Sequence, residues 1–114
     1  MPTIGNLCEG LGKRLDALAD KWGNEYSCTG GVQIEPNREL WLVKKDKGWT
    51  FVAIRTDTGE ETRLKSVSVV DRLLCVDSLS VLKRELQNEN KTIKRDLLNA
   101  INVVGELLGP DNEV

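Results

Sequence analysis

Histidine is missing from this chain, and aromatic residues, cysteine, proline and methionine are scarce. Without histidine, the chain lacks the usual general base and the commonest protein ligand for transition metals. Cys-His and Ser-His-Asp catalysis by this chain alone are therefore excluded. No acidic cluster has the spacing of a calcium-binding loop. We predict a protein with no catalytic residues, no metal site and no cofactor.

The three cysteines, Cys8, Cys28 and Cys75, are far apart and form no C-x-x-C pair. This spacing fits neither a disulfide framework nor a zinc site, so we predict buried thiols in a reducing compartment, the cytoplasm. The first residues lack the basic and apolar regions of a signal peptide. No apolar run approaches the length of a membrane span. We expect neither export nor membrane insertion.

The charge balance argues against nucleic acid as a partner. The formal net charge is -2 and the pI is near 5.2, whereas binding to phosphates favours a basic face. A locally basic stretch at 83–95 is interleaved with acidic residues at helical spacing, which is typical of a solvated helix face.

Length and composition predict one globular domain over residues 1–114. The chain is 39% hydrophobic and 30% charged, which is ordinary usage for a folded domain. A chain of this size buries a core without disulfides or metal.

The N-terminal segment has the period of a helix. Thr3 is a suitable N-cap, and apolar residues follow at steps of three and four. This stripe comprises Ile4, Leu7, Leu11, Leu15, Leu18 and Trp22. Gly23-Asn24 is expected to end the helix.

From Tyr26 the apolar period changes to two, which is typical of strands. Three short loops at 36–38, 46–48 and 57–59 divide the region into four strands of a meander. The last two loops have glycine in third place, as in three-residue hairpin loops. If all three loops have that length, Val32 faces Leu42, and Leu42 faces Val52.

This register predicts a sheet with two different faces. One face is aliphatic: Ile34 meets Leu40, Leu40 meets Ile54, and Val52 meets Leu64. The other face carries the aromatic residues at its centre and charges at its rim. A slip by one residue would exchange the two faces.

Helical periodicity returns after Lys65. Ser68 and Asp71 resemble a capping box and predict a short helix. A heptad-like series then runs from Leu79 to Leu108 with a polar gap at 87–90, and Gly109-Pro110 ends it. Residues 78–108 form either one helix or two. A single helix of about 45 Å exceeds the width of so small a domain, and this predicts a homodimer.

The tripeptide Asp57-Thr58-Gly59 resembles the active-site motif of aspartic proteases. Its neighbours Arg55 and Glu60 are charged, whereas a proton shared by two carboxylates requires a dry site. We interpret the tripeptide as a hairpin turn.

These patterns predict an α+β two-layer sandwich: an N-terminal helix, a four-stranded antiparallel meander and C-terminal helices packed on one sheet face. We expect a non-enzymatic, self-associating protein-interaction module, with a second copy, a protein or a peptide as partner. Its interaction surface is predicted at Trp41, Val43, Trp49, Phe51, Arg55, Arg63 and Lys65. The alternatives are that the C-terminal helices form the interface, or that a pocket between sheet and helices serves a small ligand or a histidine-independent enzyme.

Overall fold

Helices and strands follow one another in the predicted order. The computed structural model describes residues 2–109. Helix α1 spans Ile4–Tyr26, and the strands are β1 (Gly30–Glu35), β2 (Arg38–Lys45), β3 (Gly48–Arg55) and β4 (Glu61–Arg63). A short 3₁₀ turn (Leu64–Ser66) leads to α2 (Val69–Asp77) and α3 (Leu79–Leu108).

Two of the helices start at the predicted side-chain caps. Thr3 Oγ1 accepts a hydrogen bond from the backbone N–H of Asn6 at 3.1 Å, and Ser68 Oγ accepts one from the N–H of Asp71 at 3.2 Å. Each cap satisfies a backbone donor that the first helical turn leaves without a partner. The local sequence therefore sets the start of α1 and of α2.

The predicted stop of α1 at Gly23-Asn24 is wrong. The helix continues to Tyr26 and ends at Ser27, whose φ of 53° lies in the left-handed region. Gly23 has a packing role instead, because a Cβ there would lie 1.9 Å from Cγ of Trp49. The apolar stripe continues past it to Tyr26, which is buried.

The four strands form one antiparallel sheet in the order β1-β2-β3-β4. The helices pack on one face of it, so the predicted fold class is confirmed. The core between the layers combines Leu40, Leu42 and Phe51 from the sheet with helical side chains. The helical contributors include Leu15, Ala19, Trp22, Cys75, Leu82 and Leu86.

The predicted strand register is wrong. Lys45 pairs with Gly48, so the β2–β3 loop holds two residues rather than three, and Gly48, with φ of 125°, belongs to β3. Leu42 consequently faces Phe51 and not Val52. In the first hairpin, Val32 faces Leu40 and not Leu42, Glu35 pairs with Arg38, and the register shifts between Gln33 and Glu35.

Only β3 changes faces as a result. Its pairing with β2 differs from the prediction by one residue, and its pairing with β4 differs by one again, because Val52 faces Arg63 instead of Leu64. The two errors cancel for β4. Strands β2 and β4, and β1 up to its register shift, keep their predicted orientation, whereas every side chain of β3 points to the face opposite to the predicted one.

Residues 79–108 form one uninterrupted helix, which answers the question left open by the polar gap. At 1.5 Å per residue, α3 is about 45 Å long. The molecule measures 69 × 32 × 24 Å. The helix ends at Leu108, before Gly109 with φ of 74°, and Pro110 of the predicted stop lies outside the described residues.

Arg72 ties α1, α2 and the 3₁₀ turn together. Its side chain is 8% exposed, and its guanidinium donates to the carbonyl oxygens of Leu64, Cys8 and Lys65 at 3.0, 3.1 and 2.8 Å. Three carbonyl acceptors satisfy a buried cation without a carboxylate. Arg72 is thus a structural clamp.

No helix within residues 2–109 is both long enough and apolar enough to cross a lipid bilayer.

Candidate interaction surfaces

The seven side chains predicted to form one interaction surface are divided between different parts of the molecule. Trp41, Val43 and Arg63 lie on the sheet face opposite the helices, Trp49, Phe51 and Arg55 on the helix-facing side, and Lys65 in the 3₁₀ turn. The reversed orientation of β3 causes the split. The predicted cluster of aromatic side chains on one face is therefore wrong.

Two of the rings belong to the interior. Phe51 is 3% exposed and meets Trp22 edge to face, with ring centroids 5.7 Å apart. Trp49 packs against the core beside Gly23, and its backbone N–H donates to Asp20 Oδ1 at 3.3 Å. Both rings join the sheet to α1, so their first role is to hold the layers together.

The sheet face opposite the helices, hereafter the open face, exposes little apolar surface. Trp41 lies flat over β1, where a Cβ on Gly31 would be 2.2 Å from its Cε2, and its indole N–H donates to Glu39 Oε1 at 3.1 Å. Val52 on this face is fully buried by its neighbours. At the rim, Lys45 pairs with Glu61 at 2.7 Å. One solvated face is usual for an antiparallel sheet.

The second half of α3 has a different surface. Residues 91–108, which we call the α3 arm, are exposed throughout and extend for about 27 Å. Six of its apolar side chains recur at steps of three and four on one side, hereafter the arm stripe, while Leu98 and Val103 are exposed outside it. The arm stripe comprises Ile93, Leu97, Ala100, Ile101, Val104 and Leu107, and the five larger ones are 38%, 58%, 66%, 53% and 81% exposed, respectively.

The first half of α3 is anchored to the rest of the chain, hereafter the body. Leu82 and Leu86 are fully buried, and α3 packs on β1, where a Cβ on Gly30 would lie 2.9 Å from Leu86 Cδ2. Near the point where α3 extends beyond the body, Gln87 Nε2 donates to Tyr26 Oη at 3.4 Å and Asn90 Nδ2 donates to the Tyr26 carbonyl at 2.7 Å. The polar gap of the sequence is therefore the last point of attachment.

A third apolar region lies on α2. Val69, Val70 and Leu73 are 45%, 68% and 53% exposed. This helix has nine residues, so its outer side offers only two turns for contact. None of the seven residues predicted as the interaction surface lies on α2.

The described residues line surface cavities of about 200 to 350 Å³. One lies between α1 and the β2–β3 hairpin, has a volume of about 200 Å³ and is lined partly by Asp16, Asp20, Lys45 and Arg63. Pockets for small molecules usually hold about 300–1,000 Å³. Within residues 2–109, no three potential ligands from histidine, cysteine and acidic residues are grouped to hold a metal ion.

The cysteines are unpaired, and two of them are buried. Burial raises the pKa of Cys75 to about 11 and, together with nearby Glu89, raises the pKa of Cys28. Cys28 Sγ donates to the Leu86 carbonyl at 3.6 Å. A raised pKa keeps a thiol protonated and a poor nucleophile, so these two cysteines are packing residues, whereas Cys8 is partly exposed.

Comparison of the chain with protein-family models, curated proteins and solved structures finds no match.

Proposed function

We propose that the protein is a non-enzymatic interaction module that self-associates through the arm stripe. The observation that supports this proposal is the exposure of five aliphatic side chains along one side of the α3 arm, which extends beyond the body. A helix that extends into solvent with such a side is usually completed by a partner. The C-terminal helix was one of the two interfaces that the sequence suggested.

The apolar surface of the arm stripe is of the size that a dimer requires. Full burial of a leucine, isoleucine or valine side chain contributes about 1.5–3 kcal/mol. Scaled by their exposed fractions, the five aliphatic residues of two copies contribute roughly 9–18 kcal/mol. Association costs about 4–15 kcal/mol in lost translational and rotational freedom. The two ranges overlap, and the contribution from burial exceeds the cost of association at their midpoints.

The other candidate surfaces have less to bury. On the open face, Val52 is already fully buried, and Trp41 lies against β1 with its indole N–H hydrogen-bonded to Glu39. The outer side of α2 is shorter than the arm. A small-ligand protein or enzyme is supported less well, because the cavities, of about 200 to 350 Å³, lie below or at the lower end of the usual size range for a ligand site. Three unpaired cysteines support a reducing compartment such as the cytoplasm.

Analytical ultracentrifugation of the native chain over a range of micromolar concentrations tests the proposal. We expect a species of twice the 12.7 kDa chain mass. Leu97→Asp should reduce the measured mass to that of a monomer. The control variants Val43→Asp, on the open face, and Leu73→Asp, on α2, should leave the dimer intact. A native chain that is monomeric at every concentration contradicts self-association. Dissociation by Val43→Asp or Leu73→Asp alone would place the interface elsewhere.

A further inference from the structure

We propose that the two copies pair their α3 arms antiparallel, about a two-fold axis near Ala100, with the two bodies at opposite ends of the dimer. This arrangement rests on the proposed function, because it requires the arm stripe to be the interface. It deepens that function by specifying the partner, a second copy of this chain, and its orientation.

The first step is that the arm stripe and the body lie on the same side of α3. Val104 follows Leu86 by about five turns of 3.6 residues, so the two side chains point in the same direction. Leu86 is fully buried against the body, whereas Val104 is 53% exposed. One continuous apolar side of the helix is thus covered by the body over its first half and bare over its second.

A parallel pair is excluded by this geometry. Two helices packed through their apolar sides lie about 8–10 Å apart. In a parallel pair both bodies would be at the same end, and both would occupy the space between the two helices. The molecule is 32 × 24 Å across its shorter axes, so two bodies do not fit into a gap of that width.

An antiparallel pair avoids the clash. Each arm then lies against the bare half of the partner's α3, and its tip points toward the partner's body near Asn90. The overlap equals the length of the arm, about 27 Å. Ala100 and Asn99 are at its midpoint, where a small side chain such as alanine permits the two backbones to approach closely.

Charge along the arm favours the same orientation. Residues 91–96 contain three basic side chains and one acidic side chain, whereas 97–108 contain Glu106 as the sole charged residue. Parallel arms would place both basic segments, with six basic side chains in total, at the same level along the pair. Antiparallel arms place each basic segment beside the part of the partner that carries no base, and they also align the helix dipoles favourably.

Distances between single spin labels on the two copies test the arrangement in the full-length chain. Labels are placed on the side of the arm away from the stripe, by Lys91→Cys, Asn99→Cys or Glu106→Cys. The background is Cys8→Ser, and the buried Cys28 and Cys75, whose pKa values are raised, do not compete for the label. Pulsed electron paramagnetic resonance then measures the distance between the two equivalent labels of each dimer.

Antiparallel arms predict distances that depend on position. The axial separation of equivalent labels is about 25 Å at position 91, about 2 Å at position 99 and about 20 Å at position 106, at 1.5 Å rise per residue. The measured distance should therefore pass through a minimum near the centre of the arm. Sedimentation of the same labelled samples provides their mass.

Each other result overturns a distinct part of the reasoning. Equal distances at all three positions mean parallel arms, which refutes this arrangement and leaves self-association intact. A dimer mass with no distance minimum along the arm means that the arms do not pair, as when each arm covers the partner's open face. Monomeric mass with no dipolar coupling at any site refutes the arrangement and the proposed function together.

Discussion

Leu97 and Leu98 form a matched pair for measuring how much the arm stripe contributes to association. They are adjacent on the same helix and are 58% and 59% exposed in the single chain. They point about 100° apart, so that Leu97 lies within the stripe and Leu98 outside it. The variants Leu97→Asp and Leu98→Asp therefore introduce the same chemical change at the same exposure on different sides of the arm.

The expected difference follows from the exposed fraction of Leu97. Burying the 58% that remains exposed contributes about 0.9–1.7 kcal/mol per copy, or about 2–3.5 kcal/mol in a symmetric dimer. Its loss weakens the dimer by roughly 30- to 300-fold in Kd. Two aspartates facing each other in an apolar interface add a desolvation cost to this minimum. Leu98→Asp should leave Kd within about threefold of the native value.

Sedimentation equilibrium of the three proteins provides Kd, and urea unfolding followed by tryptophan fluorescence provides the stability of the body. Both aspartate variants should retain the native urea midpoint when measured at a concentration where all three are monomers. Equal weakening by the two substitutions would refute the assignment of the stripe, because the loss would then not depend on the helix side. A Leu97→Asp dimer as tight as the native one would refute it as well.

Two further predictions concern the body, both measured as the free energy of unfolding in urea. Gly23→Ala should destabilise the protein by about 1–3 kcal/mol, because the new Cβ would overlap the indole of Trp49. Gly12→Ala is the control: it lies in the same helix with no atom within 4 Å of the new Cβ, and it should stabilise the protein by about 0.5–1 kcal/mol. A stabilising effect of Gly23→Ala would contradict the packing of Trp49 against Gly23. The hydrogen bond from Arg38, at 2.7 Å, lowers the pKa of the Asp71 carboxyl in the native state. The ion pair therefore contributes its full stabilisation above the pKa of the unfolded state, about 3.9. This contribution is lost as the pH falls through the lower pKa of the native state. Asp71→Asn should therefore be less stable than the native protein near pH 7, with a difference that shrinks below about pH 4; a difference independent of pH would contradict the ion pair.

Most elements of the fold were predictable because their signals are local. Thr3 and Ser68 cap helices through bonds to residues three positions later, and the change of period at Tyr26 separates helix from strands. The end of α1 was not predictable in this way. Gly23 looks like a stop, yet it is buried in the helix because a tryptophan from β3 requires the space.

The seven residues predicted as one interaction surface are divided because the orientation of β3 was predicted wrongly. The prediction that the aromatic side chains share one face assumed a three-residue loop at 46–48. The same sequence also fits a two-residue loop followed by a strand that begins with Gly48. Strand β3 is apolar on both sides, with Phe51 and Val52 both buried, so its own alternation does not reveal which side meets the helices. The heptad-like series of α3 did predict a helix up to Leu108, as observed.

The amino-acid sequence by itself determined the number and order of the elements and the apolar sides of α1 and α3, because periodicity and capping act within a few residues of chain. Only the tertiary structure decided the orientation of β3, the packing of Trp49 and Phe51 against the core, and the point where α3 extends beyond the body. Those features depend on hydrogen bonds between strands and on packing between residues far apart in the chain, such as Asn90 with Tyr26. A single residue in one hairpin loop is enough to exchange the two faces of a strand.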